Sequence, residues 1–294
     1  MKQKIIAFFI VAVLLGLTDI AGTIGNAQEK PTVYLGVGPR YHPITMYERF
    51  QPMMDYLTQQ TPYRFELKIM RDYPEVIVSL AEGKIAVSAV GDGGLMRAML
   101  VHGAIPIVRP LNSEGKPVYR CNFVVRANSG IRSLSELKGK KIALGSRHST
   151  TGNLIPRAML ITSGVMLEDL GLLGNLSNHD AVARAVAKGE YDAGAVKSTI
   201  AEIYKSKGLR VLAESAELPS IALIAGKDVP RELIQSMSSA LLRLDRRNPE
   251  HRRLLESWDY EYRYGFAPAT AADYNELLGI FKTVPYGCAT GCHQ

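Results

Sequence analysis

Val118-Tyr119-Arg120-Cys121-Asn122-Phe123-Val124-Val125-Arg126 and, further along, Pro219-Ser220-Ile221-Ala222-Leu223-Ile224-Ala225-Gly226 are two long apolar, β-like segments. Each stands between series of strand-and-helix units. Before the first, Val33–Val37 reads as a buried strand, and Met46, Phe50, Met53, Met54 and Leu57 then recur at i, i+4, i+7, i+8 and i+11, one apolar face of a helix. Phe65–Ile69 precedes a helix near Pro74–Ala81, Ile85–Val90 precedes one near Leu95–His102, and Ile105–Val108 closes the set. Between the two segments lie a strand at Lys141–Leu144, a polar loop at Gly145–Thr151, helices at Leu154–Thr162 and Ala181–Ala187, and strands at Ala193–Val196 and Arg210–Leu212. After the second, Leu233, Met237, Ala240, Leu241 and Leu244 mark a long amphipathic helix, and a last helix falls near Ala271–Phe281. Such alternation predicts an α/β protein with mainly parallel sheets. Two α/β units joined by two apolar segments predict two lobes, with the chain crossing twice between them. A cleft is then expected at their junction, closing by a hinge.

Composition agrees with a folded body. Of 294 residues 47% are hydrophobic and 21% charged, which excludes a disordered chain, and three Cys exclude a disulfide-dense scaffold. At the start, Lys2 and Lys4 precede the apolar run Ile5–Leu17, with Gly25 and Ala27 at the spacing of a signal-peptidase site. Residues 1–27 therefore read as an export leader cleaved after Ala27, and the periplasm is the expected location. The run is too short to span a bilayer, which takes roughly 18 apolar residues or more. An uncleaved anchor is the competing reading, weakened by Gly16, Thr18 and Asp19. The formal net charge of +7 favours anions and acidic partners in general. No Lys/Arg block interleaved with aromatics suggests nucleic acid, and Arg246, Arg247, Arg252 and Arg253 read as a solvated helix face.

Ser149-Thr150-Thr151-Gly152 stands at a predicted helix start. Hydroxyls and unpaired backbone N–H groups there converge on one point, where the helix dipole also favours negative charge, so an oxyanion is the natural occupant. A plain Ser/Thr N-cap is the alternative. Catalytic motifs fail on context: Gly36-x-Gly38 is followed by Pro39 and lacks a third glycine, and no P-loop, His-Glu-x-x-His, calcium loop or Gly-x-Ser-x-Gly elbow is present. Ser149 with His148 and His179 lacks an acid and an oxyanion hole. The chain is expected not to be an enzyme.

From about residue 31 to 283 the chain resembles the substrate-binding proteins of phosphonate, phosphite and phosphate ABC importers. The resemblance is carried by Gly36-Val37-Gly38-Pro39-Arg40-Tyr41, Tyr73, Ser133-Leu134-Ser135-Glu136-Leu137-Lys138-Gly139-Lys140 and Ser149-Thr150-Thr151-Gly152. It continues in His179, Gly189-Glu190-Tyr191-Asp192-Ala193-Gly194, Pro219-Ser220 and Gly265-Phe266-Ala267-Pro268-Ala269-Thr270. It implies the two-lobed type II periplasmic binding protein fold, with residues 28–122 and 223–284 forming one discontinuous lobe and 123–222 the other. It also implies a small-oxyanion cleft lined by Tyr41, Tyr73, Ser149, Thr150, Thr151, His179 and Asp192, and an ABC permease or sensor as membrane partner. Two departures stand out. The third hydroxyl is Thr151, and where the family has Gly-Pro and an aromatic the chain has Gly91-Asp92-Gly93-Gly94-Leu95, whose carboxylate would repel an anion.

Residues 285–294 extend past the resemblance and hold Cys288-Ala289-Thr290-Gly291-Cys292-His293. Covalent haem attachment ordinarily uses Cys-x-x-Cys-His, two thiols with an adjacent imidazole for the iron. The tail, one residue longer, is similar to a rarer spacing of some c-type cytochromes. The favoured expectation is haem c on Cys288 and Cys292 with His293 as proximal iron ligand and a redox partner for electron transfer or sensing; His42, His148 and His179 are candidate distal ligands. A Cys288–Cys292 disulfide and a metal site lacking a local fourth ligand compete with it. Cys121 reads as a buried inert thiol. A binding protein for an ABC importer, without haem, is the alternative function.

Overall fold

Strands β1 (Thr32–Val37), β2 (Arg64–Ile69), β3 (Val87–Ala89) and β4 (Ile105–Pro110) alternate with helices α1 (Pro43–Gln60), α2 (Tyr73–Ala81) and α3 (Asp92–His102) in the computed structural model, which describes residues 29–39, 42–147 and 149–283. The chain then runs through the short β5 (Val118–Tyr119) into β6 (Cys121–Arg126), β7 (Lys141–Leu144), α4 (Ile155–Thr162), β8 (Leu172–Asn175), α5 (His179–Ala187), β9 (Ala193–Lys197), α6 (Ser198–Lys205) and β10 (Leu209–Glu214). It returns through β11 (Leu218–Pro219) into β12 (Leu223–Ala225), α7 (Arg231–Leu242), α8 (Pro249–Glu256), β13 (Phe266–Pro268) and α9 (Asn275–Thr283).

These strands form two sheets and a ribbon. The first sheet has the order β13-β4-β12-β3-β1-β2, the second β10-β6-β9-β7-β8, and β5 pairs antiparallel with β11. The ribbon is where the two apolar segments of the sequence run side by side, so the two-lobed type II architecture with two crossings holds. The expectation of mainly parallel sheets needs correction. β1, β2 and β3 are parallel, as are β7, β8 and β9, but β12 lies antiparallel between β3 and β4, and β6 antiparallel between β9 and β10. Each inserted strand follows directly from the crossing ribbon and so enters its sheet against the direction of the strand beside it.

Both sheets are covered on both faces, which is why their strands read as nearly continuous apolar runs. Val33, Leu35 and Val37 of β1 pack with Met46, Phe50, Met53 and Met54 of α1 and with Met237 and Leu241 of α7. The opposite face meets α2, α3 and α9 through Ile77, Leu95 and Leu277. In the second sheet Cys121, Phe123 and Val125 face Leu160 of α4, while Val124 and Val196 face Val182, Val186 and Ile200 of α5 and α6. The period of two along β6 divides those side chains between two cores. No described helix is long and apolar enough to cross a membrane.

Candidate functional site

In open α/β sheets, ligands gather beyond the carboxyl ends of the strands, where the strand order reverses. β1, flanked by β2 and β3, and β7, flanked by β8 and β9, are the two reversal points here. Beyond β7 the chain forms a tight loop, with Gly145 N–H donating to the Gly152 carbonyl at 2.6 Å. Ser149 is the N-cap: its Oγ accepts the Gly152 N–H at 2.9 Å, and a single turn of π-helix, Thr150–Leu154, leads into α4. A methyl group on Gly145 would lie 3.1 Å from the Gly152 Cα, so both glycines are needed for this approach. Asn175, closing β8, braces the loop by donating to the Gly145 carbonyl (2.7 Å) and to Asn153 Oδ1 (3.0 Å).

Facing this helix start is the carboxylate of Asp92, first residue of α3, just beyond β3. Its Oδ2 accepts the Thr151 N–H at 3.1 Å and the Thr151 hydroxyl at 2.8 Å. Its Oδ1 accepts the Tyr119 hydroxyl, from the crossing ribbon, at 2.5 Å. All three residues are buried, Asp92 5%, Thr151 1% and Tyr119 3% exposed, so the carboxylate exchanges its water for these donors and for the two helix starts that flank it. Burial first, and then the Asp92 charge, hold the Tyr119 phenol well above its ordinary range, which keeps it a donor. Beside it, Lys197 at the end of β9 lies 4.4 Å from the Tyr119 ring centre and pairs with Glu261, both largely shielded from solvent. Asp92 with Thr151 and Lys197 with Glu261 thus bridge the two sheets' carboxyl ends.

Of the residues expected in the cleft, Thr150 and Thr151 are buried at this point and Ser149 caps it. Tyr73 opens α2 beyond β2, with its hydroxyl donating to the Pro39 carbonyl at 3.5 Å and its ring against Gly38. His179 opens α5 beyond β8. Tyr41 and His148 lie outside the described residues. Asp192 is at the other end of the sheet, just ahead of β9, where its Oδ2 accepts the Lys141 N–H at 2.9 Å; the structure does not bring it to Thr151. Tyr119, Lys197, Glu261 and Asn175 are the participants that sequence patterns did not single out. Cys121 is a free, buried thiol that burial pushes well above its ordinary range.

A family profile described as the periplasmic substrate-binding protein of the phosphonate ABC transporter matches residues 35–274. The chain is 28% identical over 221 residues to the phosphate-import protein PhnD of Mycolicibacterium smegmatis, covering 68% of each. It is 26% identical over 165 residues to the probable ABC transporter phosphite-binding protein PhnD1 of Prochlorococcus marinus, covering 51% of this chain and 56% of that one. Among solved structures, PhnD1 of P. marinus in complex with methylphosphonate superposes with a TM-score of 0.74 at 20% identity, over 86% of this chain and 98% of that one. A binding-protein component of an ABC phosphonate transporter from Pseudomonas aeruginosa gives 0.73 at 19%, over 86% and 87%.

These findings correct the favoured reading of the tail. The haem c cofactor, the electron-transfer function and the redox partner give way, because the match extends over the whole body and the relatives are binding and import proteins by name. Against that stood three residues, Cys288, Cys292 and His293, at a spacing one longer than the ordinary motif; they lie outside the described residues. Among the described residues no group of three His, Cys, Asp or Glu is placed to hold a metal ion. The described histidines are also dispersed: His42 precedes α1, His102 ends α3, His179 opens α5, and His251 Nδ1 accepts the Asp245 N–H.

Proposed function

The chain belongs to the periplasmic substrate-binding proteins of phosphonate ABC transporters, and from that premise we propose that it captures a small tetrahedral oxyanion between its lobes and presents it to a membrane permease. It is a binding protein rather than an enzyme. Residues 1–27 serve as the export leader, residues 28–122 with 223–284 and residues 123–222 form the two lobes, and the mature chain works in the periplasm. The ligand class is phosphonate, phosphite or phosphate, in keeping with what the relatives' names state of those proteins. Ser149, Thr150 and Thr151 supply the donors from one lobe, with Tyr41 and Tyr73 from the other and His179 at the rim.

One observation carries this reading. The N–H and hydroxyl of Thr151 converge on a single negatively charged oxygen, that of Asp92. A pair of donors at a helix start, buried and aimed at one point, suits an anionic oxygen, and charge-assisted bonds of this kind are about twice as strong as neutral ones. Specificity within the class follows from which further donors the ligand meets.

Differential scanning calorimetry with methylphosphonate, phosphite and phosphate, each raised to millimolar concentration, tests the proposal. A ligand that binds only the folded state stabilises it by about 2.7 kcal/mol at roughly 100 times its Kd. The midpoint should therefore rise with the logarithm of concentration for at least one of the three and stay flat with chloride. No rise with any of them would refute the oxyanion reading.

A further inference from the structure

We propose that Asp92 is an internal substitute for the ligand: its carboxylate occupies the donors of the anion site and holds the lobes together, so that an external oxyanion binds only by displacing it. This rests on the oxyanion reading of Thr151 given above, and adds to it a residue that sets affinity and closure.

The geometry is that of a bound ligand. Asp92 Oδ2 takes both Thr151 donors and Oδ1 takes the Tyr119 hydroxyl, so the carboxylate reaches one lobe and the crossing ribbon while its backbone belongs to the other lobe. The position is 5% exposed, which leaves an incoming oxyanion no path to Thr151 while Asp92 stays. A cation beside the group is also committed, Lys197, 4.4 Å from the Tyr119 ring centre, being paired with Glu261 across the same junction. Two negative charges at hydrogen-bonding distance from one donor repel strongly in a buried site, so ligand and Asp92 exclude one another there. A receptor of this design is closed without ligand, and its ligand exchanges one anion for another instead of closing an open cleft. Its apparent affinity is reduced by the fraction of molecules in which Asp92 is bound.

Asp92→Asn is the test, because it keeps the shape and removes the charge. Hydrogen exchange at the Thr151 amide, resolved by NMR on ligand-free full-length mature protein, reads the latch without any ligand. Methylphosphonate and inorganic phosphate titrated by calorimetry read the competition. The Thr151 amide should be protected in the wild type and exchange at least tenfold faster in Asp92→Asn. Either probe should bind the variant at least tenfold more tightly. Faster exchange with no binding by either protein would uphold the latch and sink the oxyanion reading instead. Unchanged exchange, or binding by the variant that is equal to or weaker than the wild type's, would overturn the latch. If Asp92→Asn does not fold, Tyr119→Phe removes the Oδ1 donor and should accelerate the same amide; no acceleration there would overturn the proposal too.

Discussion

Gly152 has no room for a side chain. A methyl group there would lie 2.9 Å from Ser149 Oγ, 3.0 Å from Ser149 Cβ and 3.2 Å from Gly145 Cα. In Gly152→Ala either Ser149 swings out of its cap bond or the Gly145 backbone recedes and strains the 2.6 Å bond to the residue 152 carbonyl. Overpacking of this kind costs about 1–3 kcal/mol. Urea denaturation of the variant should show that loss, and calorimetry should show weakened methylphosphonate binding; an unchanged protein by both measures would mean the loop has slack. Ser149-Thr150-Thr151-Gly152 was legible in the sequence because capping chemistry needs hydroxyls and a small residue within a single turn. Asp92 was legible only as a misfit, a carboxylate where the resemblance leads one to expect an aromatic. Its partner Tyr119 was not legible, since a contact between separate elements leaves no local pattern. Asp192 shows the limit from the other side: it looks like a cleft residue until the direction of β9 places it at the amino end, away from the loops that follow β7 and β8.

At the scale of elements, amphipathic period located most helices, but α6 drew no reading at all and α8 was read only as a charged face. Its Arg252 and Arg253, with Arg246 and Arg247 just ahead of it, read as a solvated face, and its buried side is little more than Leu255. The stronger signal was at its start. Asn248 accepts the N–H groups of Glu250 at 2.8 Å and His251 at 3.4 Å, Pro249 stands at the first helical position where its missing N–H costs nothing, and Glu250 meets the positive end of the dipole. A helix held by so few buried side chains leans on its cap. Asn248→Ala should therefore lower stability by about 1 kcal/mol, in the usual range for a lost N-cap. The shift should appear in the urea midpoint with an unchanged slope. A midpoint within error of the wild type would show that packing of Trp258 and Tyr262, which follow the helix in the core, fixes this segment without its cap.

For the whole molecule, the two lobes are not equivalent in how they are assembled. The strand order was hidden from the sequence because apolar period shows that a strand is buried and says nothing of its neighbours or its direction. With the order known, the second sheet proves to be contiguous: β6 to β10 all lie within residues 121–214. The first sheet is not, for β12 sits between β3 and β4, and β13 pairs with the far side of β4. Without residues 223–268, β3 and β4 have no common neighbour, and the apolar face that packs against α7 is uncovered. A segment of residues 117–220, by contrast, contains its whole sheet, both layers of helices and both strands of the ribbon. At that size a domain buries enough of its surface to fold alone. Expressed separately, residues 117–220 should unfold cooperatively on heating and give a dispersed amide NMR spectrum, and residues 29–116 should do neither. A cooperative transition in the amino-terminal fragment, or none in the central one, would mean that the two lobes depend on each other in a way their sheets do not convey.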